Sequence, residues 1–162
     1  MTAIDRAKNL ARMTLGDALA APVDPARERT GIRIEIEAWP RVRLTWPAGV
    51  RHDAEVADAL RALEAIAQRG RPFVLLVDAR DARPPTRVQL GMILDAMRRI
   101  GPDARCLAHA VVTRSIPVRA FVDSLRWMRL TPSAWAYFDD EASAIAWLDR
   151  ELPHRRSDRP SA

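Results

Sequence analysis

Phe73-Val74-Leu75-Leu76-Val77-Asp78 is the stretch whose reading decides the fold. Five apolar residues follow one another without alternation and end on a single aspartate. A strand with one wet face alternates, so this one is expected at the centre of a sheet, buried on both faces. The segments flanking it read as helices. Upstream, Val56, Leu60, Leu63 and Ile66 recur at helical spacing behind Asp53, the expected N-cap, and Gly70 and Pro72 end the run. Downstream, Thr86-Arg87-Val88-Gln89 fits a capping box, and Leu90, Ile93, Leu94, Met97 and Ile100 form the inward side before Gly101-Pro102.

Further out, on the N-terminal side, the period becomes two. Ile32, Ile34 and Ile36 alternate with Arg33, Glu35 and Glu37; Val42, Leu44 and Trp46 alternate with Arg41, Arg43 and Thr45. This predicts a β-hairpin with Ala38-Trp39-Pro40 as its loop. Glu37 then faces Arg41 and Glu35 faces Arg43 on a wet side, while Ile36, Ile34 and Ile32 face Val42, Leu44 and Trp46 on the core side. On the C-terminal side, Arg105–Thr113 is a second mostly apolar strand. Ser115 then caps a helix with Pro117 in its first turn and Phe121, Val122, Leu125 and Met128 inward. Trp135–Phe138 is a short last strand, and Asp139 or Asp140 caps a closing helix with Ile145, Leu148 and Leu152 inward. The predicted class is α/β: a mixed sheet of about five strands, a hairpin followed by αβαβαβα, packed by helices.

The ends stand apart from this core. Residues 3–20 read as an extra N-terminal helix with Ile4, Ala7, Ala11, Leu15 and Leu19 along one side. An isolated helix of that length is marginal in water, so it is expected to dock on a second copy or a partner, the alternative being that it folds back on its own sheet. Residues 22–30 read as a linker. The expected division is residues 1–30, helix and linker; residues 31–152, the domain; residues 153–162, a disordered tail.

The net charge of +5 raises the question of nucleic acid. Residues 1–30 hold five basic and four acidic groups, and residues 154–162 hold three and one, so over half of the excess lies outside the core. All the basic residues but Lys8 are arginine, which fits a GC-rich coding bias. A binding footprint would be a one-sided stripe, and none is visible. No nucleic-acid partner is expected. No apolar run approaches the roughly 18 residues that span a bilayer, and Asp5, Arg6, Lys8 and Arg12 interrupt any signal-peptide centre. The expected location is cytoplasmic, with no integral membrane segment.

Chemistry is thinly signposted. The lone cysteine, Cys106, has no disulfide or metal companion and falls in a strand, so a buried, inert thiol is expected. His52, His109 and His154 share no ligand spacing, and His109 reads as a satisfied core histidine. Asp78 reads as a cap or as an ion-pair partner of Arg80 or Arg83. There is no Gly-x-Ser-x-Gly, no Gly-rich phosphate loop and no Gly-x-Gly-x-x-Gly. No catalytic residue, metal or cofactor is expected.

The ββαβαβαβα order, together with Cys106-Leu107-Ala108-His109-Ala110-Val111-Val112-Thr113 and Tyr137-Phe138-Asp139-Asp140-Glu141-Ala142-Ser143-Ala144-Ile145-Ala146-Trp147-Leu148, resembles the STAS-like family. Its members include anti-sigma-factor antagonists and soluble bacterial proteins described as STAS/CRAL-TRIO-like. The resemblance covers about residues 31–152. It implies a mixed sheet packed by helices and a role in protein–protein regulation, with nucleotides or apolar ligands bound by some relatives. Antagonists of the phospho-switch type carry an Asp-Ser-Ser-Gly-like motif before a helix. Here that stretch is Asp81-Ala82-Arg83-Pro84-Pro85-Thr86-Arg87, so the resemblance does not bring phosphorylation control with it.

Two surfaces are expected to meet a partner. One is the loop from Asp78 to Thr86, where Arg80, Arg83, Thr86 and Arg87 surround a helix N-terminus. The other is the helix bearing Arg119, Arg126 and Arg129, with Trp127 partly exposed among them, a composition typical of interfaces. The expected function is a non-enzymatic regulatory or assembly module acting through a protein partner or self-association. The alternatives are a carrier or sensor of a small apolar ligand or lipid and, third, a hydrolase.

Overall fold

The computed structural model describes residues 31–48, 52–101, 105–130 and 132–157. Its elements are β1 (Arg33–Ala38), β2 (Arg41–Thr45), α1 (Asp53–Gln68), β3 (Phe73–Asp78), α2 (Arg87–Ile100), β4 (Cys106–Val112), α3 (Ile116–Trp127), β5 (Ala134–Phe138) and α4 (Glu141–Ser157). The strands lie side by side in chain order, β1 antiparallel to β2 and the rest parallel. The sheet therefore advances in one direction, and its βαβ connections put α1, α2 and α3 on one face. The chain then turns back and lays α4 on the other. This is the mixed α/β sheet expected from the element order. No helix among the described residues is long and apolar enough to cross a membrane.

β3 occupies the centre, and Phe73, Val74, Leu75 and Leu76 are all buried, as its unbroken apolar run requires. Its alternate residues divide between two cores. Val74 and Leu76 join Ala108, Ala110, Val112, Ala144 and Leu148 beneath α4. Phe73 and Leu75 join Val42, Leu44, Ile66 and Cys106 on the opposite face. A third cluster, Ala79, Ala82, Val111, Val118 and Val122, extends that face under α3.

The helix starts follow local chemistry. Thr86 caps α2 with the expected capping box: the Gln89 backbone N–H donates to Thr86 Oγ1, and the Thr86 N–H donates to Gln89 Oε1. Ser115 Oγ accepts from the Val118 N–H at the start of α3. Asp140 caps α4, accepting from the Ser143 N–H at 2.8 Å.

Several expectations need correction. The N-cap of α1 is His52, without a side-chain bond, and Asp53 is the first helical residue. The hairpin holds Ile34 opposite Leu44 and Glu35 opposite Arg43, but Ala38 pairs with Arg41, leaving a two-residue turn with a cis Trp39–Pro40 peptide. The register shifts between Glu35 and Ala38, a bulge that a strict period of two does not reveal. In this register Arg41 is opposite Ala38 and not Glu37, and Ile36 is 41 % exposed and outside the core. The face expected to be wet is partly covered: Arg41 pairs with Asp149 at 2.7 Å, and Arg43 with Glu141. Met128 is the C-cap of α3 and exposed instead of inward. α4 runs to Ser157, past Leu152 and into the expected tail. The expected docking residues Ile4, Ala7, Ala11, Leu15 and Leu19, and the tail beyond Ser157, lie outside the described residues.

Candidate functional site

Between the sheet and the layer of α1, α2 and α3 lies a cavity of about 170 Å³. Its floor comes from β2, β3, β4 and β5 through Leu44, Leu75, Val77, Cys106, His109, Val111 and Trp135. Its roof comes from Leu60 and Leu63 of α1, Ala96 and Met97 of α2, and Phe121 and Val122 of α3. These are the inward residues that helical spacing singled out, together with alanines. They meet the sheet through long side chains, and the gap between those side chains is the cavity. Apart from His109 and the Cys106 thiol, its lining is apolar except at Arg83, an exposed residue.

Cys106 and His109 share this floor because of a bulge. Three residues apart on a regular strand, they would point to opposite faces. Instead Phe73 pairs with Cys106 and Leu75 with His109, so β4 spends one residue more than β3 between those pairs. Both side chains end on the cavity face. The sulfur lies 3.6 Å from His109 Nε2 and 4.0 Å from Nδ1, and the thiol donates to the Ala108 carbonyl at 3.7 Å. The imidazole stacks on Trp135, ring centroids 3.9 Å apart and planes within 7°.

Burial decides the protonation of this pair. Desolvation disfavours each charged form, pushing the thiol up to about 12 and the imidazole down to about 3. At neutral pH the pair is thiol and neutral imidazole, without the thiolate that nucleophilic cysteine chemistry uses. His109 is a core histidine, as expected, with its ring against the Cys106 sulfur on one side and stacked on Trp135. The hydrogen-bond partner of its ring among the described residues is the Cys106 sulfur. Nothing in the sequence announces the bulge, so periodicity had no means of pairing these two residues.

The loop after β3 divides between the two faces. Asp78 accepts a two-pronged contact from Arg80, with Nε at 2.9 Å and Nη2 at 2.6 Å, and Arg80 also lies 3.6 Å from Glu141. That contact holds the Asp78 carboxyl below the usual carboxylate range and raises Arg80. Glu141 is lowered by Arg43 above all. Ala79, Ala82, Arg83, Pro84 and Pro85 turn the other way and form a wall of the cavity. The arginines of this loop thus do not converge: Arg80 serves the α4 side, Arg83 borders the cavity, and Arg87 is exposed at the start of α2. Thr86 is committed to its cap. Gln89, 2 % exposed, completes the capping box and also donates to Asp53 Oδ1, joining the starts of α1 and α2.

On α3, two of the expected arginines are structural ties. Arg119 donates to the Thr113 carbonyl and to Asp139, and lies over the Tyr137 ring at 5.6 Å. Arg126 pairs with Asp123, which also accepts the Tyr137 hydroxyl at 2.7 Å. Burial, with the Asp123 carboxylate beside it, pushes that phenol up to about 12. Trp127 is 87 % exposed, and Arg129 follows it with a positive φ of 48°. No group of three or more metal-ligating side chains occurs among the described residues. Compared with known proteins, the chain matches no family model and no curated sequence.

Proposed function

We propose that this domain binds a small, largely apolar molecule between its sheet and the α1–α3 layer, as a carrier or sensor and not as an enzyme. The observation that carries the reading is the cavity itself: about 170 Å³ lined almost wholly by hydrocarbon, with one charged side chain at its edge. A protein interior is normally filled to crystal density, so a void of this size forfeits packing that a ligand restores. It is smaller than the roughly 300–1,000 Å³ that hold drug-sized ligands. The favoured ligand is accordingly a compact molecule and not a long lipid chain. The STAS-like kinship belongs to the same proposal, supported by the element order and the mixed sheet.

A second reading, the protein-binding module, draws support from Trp127, a large apolar side chain that is almost fully exposed. The cavity reading is preferred because a void is costly to keep, whereas a single exposed apolar side chain is common. Toluene titration tests it. Saturating toluene should raise the melting temperature and change the fluorescence of Trp46 or Trp135, and Ala96→Phe, which fills the space, should abolish both responses. Absence of either response up to the solubility limit refutes the reading.

A further inference from the structure

From the place where the cavity reaches solvent we infer that the ligand is a small aromatic carboxylate, its ring inside and its acid group held at the opening by Arg83. This inference rests on the cavity reading and names its ligand class. Among the described residues that line the cavity only Arg83 and Pro84 are exposed, so it opens at the loop between β3 and α2. Arg83 is also the one charged side chain in that lining. A molecule that enters here leaves its last atoms beside a guanidinium. That planar fork of N–H groups matches the two oxygens of a carboxylate, and the bonds are charge-assisted. Arg83 lies on an exposed loop, where ion pairs are weak, so any contact it makes within its own chain can give way to an anionic ligand.

The charges around the cavity suit an anion at the opening and nowhere deeper. In the loop, Asp78 and Arg80 are bonded to each other. Exposed Asp81 opposes an anion, but Arg83 and the exposed Arg87 together outweigh it. At the cavity floor the Cys106 thiol and the His109 imidazole are both uncharged at neutral pH, and burying a carboxylate against them is costly. The acid group therefore faces out and hydrocarbon faces in. About 170 Å³ matches one ring with a short substituent, close to the size of an engineered cavity of about 150 Å³ that takes up benzene. Trp46, Phe73, Phe121 and Trp135 contribute to the wall and favour a flat ring over a branched aliphatic chain.

The test compares phenylacetate with phenylacetamide, which has the same shape without the charge, and uses toluene as the control for the cavity itself. Titration of the full chain, followed by the fluorescence of Trp46 or Trp135, should give phenylacetate a dissociation constant about fivefold lower than the amide's at low salt. The preference should shrink as salt is raised to about 1 M. It should vanish in Arg83→Gln and persist in Arg87→Gln, which removes the same charge from the start of α2. Equal or tighter binding of the amide to the unaltered protein overturns the carboxylate assignment while leaving the cavity reading in place. So does a preference that survives in Arg83→Gln or is lost equally in Arg87→Gln, and so does binding of toluene without binding of phenylacetate. Failure of all three molecules to bind refutes the cavity reading and this inference with it. Should Arg83→Gln not fold, the preference of the unaltered protein and its salt dependence decide, a preference that salt leaves unchanged counting against the assignment.

Discussion

The two faces of the sheet share the strands β3, β4 and β5, yet one is full and the other hollow. On the full face the contact residues of β4 and α4 include Ala108, Ala110 and Ala144, so small that the helix backbone comes down onto the strands, and Leu148 fills what remains. On the hollow face the contact residues are Phe73, Leu75, His109, Val111 and Trp135, and the helices above answer with Met97, Phe121 and Leu125. Large side chains on both sides hold the layers apart and leave gaps between their tips. The small residues of the α4 face let the layers close, and the larger side chains of the other face leave the cavity between them.

The largest test of this contrast is truncation. Leu148→Ala should cost toward the upper part of about 2–5 kcal/mol, because nothing nearby can move into the space. Leu75→Ala, whose side chain already borders a void and has fewer partners to lose, should cost toward the lower part. Urea denaturation of both variants measures the difference, and equal losses would contradict the contrast.

Acid separates the faces next. Between pH 6.5 and about 3 the unfolded chain binds a proton at His109 that the folded chain refuses, so this contribution to stability is present above 6.5 and lost as pH falls. The slope should approach about 1.4 kcal/mol per pH unit and disappear in His109→Leu. Asp78 and Glu141, beside α4, are depressed carboxylates; their stabilisation is present above their unfolded values of 3.8 and 4.5 and lost only as pH drops below them. Denaturation between about pH 7 and about pH 5 isolates the histidine.

The smallest effects should come from adding volume. Ala110→Leu, under α4, overpacks a full layer and should destabilise by about 1–3 kcal/mol. Ala96→Leu points its added methyl groups into the cavity and should be neutral or slightly stabilising. Thermal unfolding of the pair reads the sign.

Most of the architecture was legible because it rests on periodicity and local chemistry. The unbroken run from Phe73 to Val77 located the centre of the sheet, and Thr86 with Gln89 announced a helix start that the structure reproduces bond for bond. The departures occur where an extra residue enters a strand. One bulge turns Ile36 out to solvent, and another brings Cys106 and His109 onto one face. Each depends on pairing with a neighbouring strand, information that no single segment contains. The cavity was illegible for a related reason: inward residues can be read from spacing, but whether their tips meet depends on how closely three helices approach the sheet. The loop arginines show a further limit. Arg80 and Arg83 are near neighbours in sequence, yet one is bound to Asp78 and the other borders the cavity.

The joining of α1 to α2 has a mechanical consequence. Gln89 links their N-terminal ends to each other through Asp53, Arg99 grips Glu64 at 2.6 Å near the other end, and the two helices pack directly against each other along their length. They form one plate. α3 is tied instead to the far edge of the sheet, by Arg119 and by the Tyr137 hydroxyl. Little backbone contact joins α2 to α3 among the described residues. The roof therefore has a seam between the plate and α3, and parting the two there would leave every helix intact.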